Sequence, residues 1–366
     1  ELTIDAQNIE SFTGIGSTAE KDSEGKAGIV KITVDGLLTL INYAEISSST
    51  WSKGDAGNVV VDASDLILDS SYILSATLDQ AAGSVGNLSI NANSVTLLNH
   101  STLSIAANQT ISQDQLAELP QKSIIDLKAG TLYLDQNSAI SSESTQNVPA
   151  SDINIQANKT IIKNNSTINT SSNNADGGDL NIQSDTLFLH DSQITTSVDG
   201  ETGDGGNITI KGINQNNGSA APENFLVMKS GFIQANTEGE NATGGTIDIN
   251  VNGIITDRTQ ELEIGGLERR IFEPGQNLNV IQAAAPKGNP GEIPQKPTEI
   301  DISGTIANMG VQFTSPVMMS TDPCLALGSH QASSLIQGGK GGFPEQPEDP
   351  SLVLLTMERI DETVAD

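Results

Sequence analysis

Along most of this chain apolar and polar residues alternate in short pieces, and the pieces come in threes. From Gly57 the apolar positions are Val59 and Val61, then Leu66 and Leu68, then Ile73. From Ser123 they are Ile125 and Leu127, Leu132 and Leu134, then Ile140. From Gly178 they are Leu180 and Ile182, Leu187 and Leu189, then Ile194. A period of two puts alternate side chains on one face, so each piece predicts a short strand with one side inward.

The triplets belong to a repeat. One phrase, a small residue followed by polar, apolar, polar and apolar positions, recurs as Gly57-Asn-Val-Val-Val-Asp-Ala63, Gly86-Asn-Leu-Ser-Ile-Asn-Ala92, Ser151-Asp-Ile-Asn-Ile-Gln-Ala157, Gly178-Asp-Leu-Asn-Ile-Gln-Ser184 and Gly206-Asn-Ile-Thr-Ile-Lys-Gly212. Looser copies start at Gly28, Ser123, Gly245 and Thr298, and a truncated one opens the chain at Leu2. The spacings between starts are 29, 29, 37, 28, 27, 28, 39 and 53, a base period of about 28 with three insertions. Three strands of this length cannot bury an apolar face alone. Stacking each strand on its copy one unit along does so.

The fold predicted is therefore all-β: a right-handed parallel β-helix over 1–315, three strands per coil and about ten coils. At roughly 4.8 Å per step the rod is roughly 45–50 Å long, and its hand follows the general preference of parallel crossovers. A sandwich or propeller would pair neighbours along the chain through hairpins, whereas here each strand resembles the one about 28 residues on. Asn137-Ser138 and Asn165-Ser166 mark a tight bend before the third strand. Gly at the unit starts is expected to supply a backbone conformation strained for other residues. The insertions fall near 108–122, with a helical turn expected from Ser112, near 213–224 as a surface loop, and near 257–297 as an arm projecting from the rod. The pattern fades after 315, and 316–366 reads as an irregular Pro/Gly-rich tail that caps or docks.

Composition supports a thin aliphatic core. There are 11 aromatic residues in 366, against 31 Asn and 35 Gly. The net charge of −29 argues against nucleic acid as a partner, because phosphate binding needs clustered Lys and Arg. The single cysteine, Cys324, cannot form a disulfide within the chain.

The sharpest chemical candidate is a column of acids. Asp176 and Asp204 are one coil apart in Asp176-Gly-Gly-Asp179 and Asp204-Gly-Gly-Asn207, and Asp55 takes the same slot earlier. Stacked carboxylates repel, and Ca²⁺ would relieve that. Against this, the glycine-rich nonapeptide of calcium-binding β-rolls is absent, and Asp also serves as a simple turn cap. Polysaccharide-cleaving β-helices need paired acids, or acids with Arg, on one face, yet the four Arg residues (Arg258, Arg269, Arg270, Arg359) lie outside the regular coils. His100, His190 and His330 are scattered. Trp51 is either a sugar-stacking ring or a corner-packing one. The sequence thus assigns no catalytic, cofactor-binding or metal-ligating residue.

These repeats, together with Cys324, Ser333-Ser334-Leu335-Ile336, Gly339-Lys340-Gly341-Gly342-Phe343-Pro344 and Pro347, resemble the filamentous-haemagglutinin-like exoproteins of two-partner secretion, above all the cyanobacterial proteins labelled S-layer family. Lys340 and Phe343 depart from the Arg and Leu usual there. The resemblance implies a C-terminal portion of a longer exoprotein, exported through an outer-membrane β-barrel transporter to the surface of a Gram-negative-type, cyanobacterial cell. It implies a non-catalytic structural or adhesive rod, filament or surface-layer component. Its expected partners are further copies or other surface components, with glycans as a further candidate. The alternative is a carbohydrate-binding or polysaccharide-degrading β-helix.

Overall fold

The computed structural model describes residues 1–294, apart from 9–11, 79–80, 82, 113–121, 214–223 and 257–259. The chain divides into Glu1–Ile302 and Ser303–Asp366. The second unit lies outside the described residues, and with it the predicted tail, Cys324, His330 and the Gly339–Pro344 phrase. The helical turn predicted from Ser112 and most of the 213–224 loop also fall outside.

Every strand pairing among the described residues is parallel, and nearly all join a segment to its equivalent one coil on. The chain is a parallel β-helix. Its first face stacks segments such as Val30–Val34, Val59–Ala63 and Leu88–Ala92. Its second face carries nine levels, from Leu2–Asp5 to Gly253–Thr256. Its third runs from Gly14–Ala19 to Leu278–Gln282. Several strands bend around the first corner unbroken, as in Val59–Asp69 and Asp152–Lys163.

Register turns the repeat into vertical columns. On the third face Ile46, Ile73, Leu103, Ile140, Ile168, Ile194, Ile233 and Ile281 are successive partners, all fully buried. On the first face Val59, Leu88, Ile125, Ile153, Leu180, Ile208 and Ile247 do the same. Each such side chain contributes about 1.5–3 kcal/mol on leaving water, and none needs a large ring to close the narrow interior. On the second face the column Leu132–Thr160–Leu187 contains a polar break. Thr160 is fully buried, and its Oγ1 has no hydrogen-bond partner among the described residues.

Each corner has its own device. At the second corner the backbone turns through left-handed residues, including Asn99 and His100 (φ 51° and 65°) and Asn164 and Asn165 (φ 52° and 62°). Asn tolerates this region better than most residues. The serine that follows points inward, and its hydroxyl donates back to the turn: Ser71 to the Asp69 carbonyl, Ser101 to Leu98, Ser138 to Asp135. At the third corner a buried hydroxyl ties two coils together. Ser48 Oγ accepts from Gly57 N at 3.0 Å and donates to the Gly28 carbonyl at 2.8 Å. Ser75 repeats the motif one level on, with Gly86 and Gly57.

The unit-start glycines are explained differently from the sequence expectation. None of them has positive φ. A Cβ on Gly57 would lie 2.1 Å from the Gly28 carbonyl oxygen, and one on Gly206 would lie 2.1 Å from that of Gly178. At these levels the coils approach too closely for a side chain, whereas Ser123 and Ser151 take the same position in their own coils. The expectation of a projecting arm is also corrected. Glu261–Ile264 pairs with Leu278–Gln282, which itself lies beside Phe232–Gln234. Residues 265–277 between them fold back on the third face. Phe272 packs edge-on against Phe232 with ring centroids 5.2 Å apart, the Arg270 carbonyl accepts from Gln234 Nε2 at 2.7 Å, and Arg269 pairs with Asp199 two coils back. Burial of Phe232 on an outward position explains why this segment stays down.

Two outcomes follow for stability. Gly57→Ala forces a backbone clash and lowers the denaturation midpoint markedly, whereas Gly25→Ala, where an added Cβ meets nothing within 4 Å, changes it little. Thr160→Val removes an unpartnered buried hydroxyl and raises stability by about 1–2 kcal/mol. Urea titration of the three variants beside the unaltered chain checks both.

Candidate functional site

The acids singled out by the repeat sit at the third corner, where the chain leaves the third face for the first. Asp55 Oδ1 accepts from Ser84 N at 2.9 Å, Asp176 Oδ1 from Asp204 N at 3.0 Å, and Asp204 Oδ1 from Thr243 N at 2.7 Å. A second column three residues on does likewise: Asp152 takes Asp179 N, Asp179 takes Asn207 N, and Asn207 takes Thr246 N. Each side chain therefore caps a backbone donor of the next coil. Lys26 adds an ion pair to Asp55 at 2.6 Å; its hydrogen bond and that of Ser84 N outweigh the desolvation that would raise the Asp55 pKa, and hold it below the usual value. Repetition of these acids is accounted for by backbone chemistry, because a carboxylate bonded to an N–H is the stronger kind of hydrogen bond.

The other sequence candidates are not brought together. Trp51 stands 42% exposed where the third face ends, with its backbone N–H bonded to the Ala19 carbonyl. His100 occupies the second corner itself, while His190 lies within the strand Thr186–Thr195, at the edge of the second face between Lys163 and Lys229.

A feature that composition did not reveal lies on the outside of the second face. The first face shows water mainly polar side chains, such as Asn91, Asn154 and Thr209. On the second, register lines up Tyr133, Ile161, Phe188, Val227 and Ile255 as consecutive outward residues, each half-buried. An apolar stripe of five levels on a chain of net charge −29 is an informative exposure. Lysines flank it: Lys159 Nζ lies 5.6 Å from the Phe188 ring centroid and Lys163 Nζ 5.0 Å from that of Tyr133. Such cation–π contacts hold the ammonium groups over the rings.

Comparison of the chain with protein-family models, curated sequences and solved structures finds no match. The second face is accordingly characterised by its own chemistry.

Its best-defined polar group is Asp135, at the edge of the stripe. The Tyr133 hydroxyl donates to Oδ2 at 2.7 Å, the Asn164 amide to Oδ1 at 2.7 Å, and Lys163 Nζ lies 3.1 Å away. Loss of solvent would by itself raise the Asp135 pKa, but the tyrosine, asparagine and lysine outweigh it and hold the carboxyl below its ordinary value. The same Asn-to-Asp bond recurs at Asn42–Asp5 and Asn99–Asp69, so this ladder ties second-corner coils together.

A depressed pKa makes Asp135 stabilising above the unfolded value of about 3.9, with the contribution lost as pH falls through the lower native value. Asp135→Asn is expected to cost about 1–3 kcal/mol at pH 7, with the deficit shrinking as pH drops from about 5 toward 2. Chemical denaturation of both proteins across that range checks this; a deficit independent of pH contradicts it.

Proposed function

We propose that this chain is a non-catalytic structural or adhesive rod of a bacterial surface, of the filamentous-haemagglutinin-like type. The observation that carries the reading is the use made of the polar residues. The stacked acids and amides at the second and third corners bond the next coil, so what repeats is scaffold chemistry, and the repeat presents the same outward positions level after level. A stiff rod with a mostly polar, strongly acidic exterior stays soluble while holding a surface patch at a fixed distance.

Export through an outer-membrane β-barrel transporter, and display outside a Gram-negative-type, cyanobacterial cell, belong to the same proposal and rest on the likeness of repeats and terminal phrase described above. Glycans are a second candidate partner, favoured by the half-exposed rings of Tyr133 and Phe188, since aromatic faces stack on sugar rings.

The test is localisation. Antibody against the full chain, used on fractionated cells and in immunogold electron microscopy, is expected to label the outer surface or shed filaments. Confinement to the cytoplasm overturns the proposal. Incubation of the protein with cell-envelope polysaccharides is expected to release no reducing ends or unsaturated products; their appearance would favour the enzymatic alternative.

A further inference from the structure

The second face carries charge in a pattern that its apolar stripe does not require. Counting levels from Leu2–Asp5, its outward residues include Asp5 at level one and Asp65 and Asp69 at level three. Lys159 and Lys163 come at level six and Lys229 at level eight. Acid thus predominates in the N-terminal part of the face and base in the C-terminal part, with Asp135 at level five on the second edge, already paired to Lys163 and opposite Leu98 in the arrangement below. Register also fixes the columns: Asp65 and Lys159 share one edge of the strands, while Asp5, Asp69, Lys163 and Lys229 share the other.

We propose that two copies of this chain pair face to face through their second faces, with the rods antiparallel. The two-fold axis runs along the strand direction between levels four and five, that is, between Ser94–Leu98 and Thr131–Leu134. Rotation about it keeps each column opposite itself and matches levels that sum to nine. Asp65 then faces Lys159 of the other copy, Asp69 faces Lys163, and Asp5 faces Lys229, each twice. In the central column Tyr133, Ile161, Phe188 and Val227 come opposite Thr96, Ile67, Thr39 and Thr3, which cover the stripe up to level eight, and at the second edge Ile41 comes opposite His190. A parallel pairing is disfavoured by the same residues, since it sets Asp65 against Asp69 and Lys159 against Lys163 at one level. Electrostatic matching selects register and orientation in this way.

The size suffices. Eight levels at about 4.8 Å and strands about 15 Å wide give roughly 550 Å² per copy and about 1,100 Å² in all, just above the smallest specific interfaces. The face is self-complementary, as a two-fold interface must be. Pairing concerns the rod itself and holds wherever the protein is located, so its failure leaves the proposed surface role standing.

Light scattering on the full chain at about 100 μM in 0.15 M salt is expected to give twice the 38.2 kDa chain mass. Lys159→Glu with Lys229→Glu, or Asp5→Lys with Asp65→Lys, is expected to give monomer, and the four changes together to restore the dimer. Circular dichroism checks that each variant remains folded. Ile41→Cys with His190→Cys, in a Cys324→Ser background, is expected to form a covalent dimer on mild oxidation, because within one chain these positions are five levels, or roughly 24 Å, apart. A monomeric unaltered chain, dimers that survive either charge reversal, or the absence of rescue and of cross-linking overturns the proposal.

Discussion

Nearly every described strand of this chain meets its hydrogen-bonding partner one full coil away, most often about 28 residues on in sequence. In-register parallel stacking is the constraint from which the rest of the structure follows. It obliges each inward position to be filled by a residue that packs on its own equivalent above and below, and the Ile46–Ile281 column shows how uniform the solution is. Thr160 is informative because it departs from the pattern: a hydroxyl in an aliphatic column finds no partner.

The corners carry the second half of the problem. A coil must turn three times while its backbone groups stay bonded. At the second corner, left-handed Asn residues make the turn and inward Ser hydroxyls take up its carbonyls. At the third, glycine lets successive coils approach and buried Ser48 and Ser75 bridge them, while Asp and Asn accept the N–H groups of the coil above. The acidity of the protein is in part a consequence of that bonding scheme, and the same side chains that invite comparison with a metal site are employed as caps.

Much of this was legible in the alternation itself. Val59, Leu66 and Ile73 identify the three inward columns without any coordinates, because period two and period 28 are both visible on the page. Other features depend on contacts between coils and leave no local trace. Gly57 looks like a conformational glycine, yet its reason is a carbonyl one coil below. The Glu268–Arg270 region reads as a polar arm, yet the Phe232–Phe272 ring contact, the Gln234 bond to the Arg270 carbonyl and the Arg269–Asp199 pair hold it to the third face. The apolar stripe escapes a linear reading for the same cause: Tyr133, Ile161, Phe188 and Val227 lie 27 to 39 residues apart and become neighbours only once register is set.

Spin labels at residues 154 and 181 test the stacking most directly. Asn154 and Asn181 are partners on adjacent coils, 27 residues apart in sequence and both outward. Nitroxides on Asn154→Cys and Asn181→Cys, in a Cys324→Ser background, are expected to show strong dipolar broadening, as labels roughly 5–10 Å apart do on neighbouring strands. Spectra that equal the sum of the two single labels would contradict in-register stacking, and with it the account of the core, the corners and the faces.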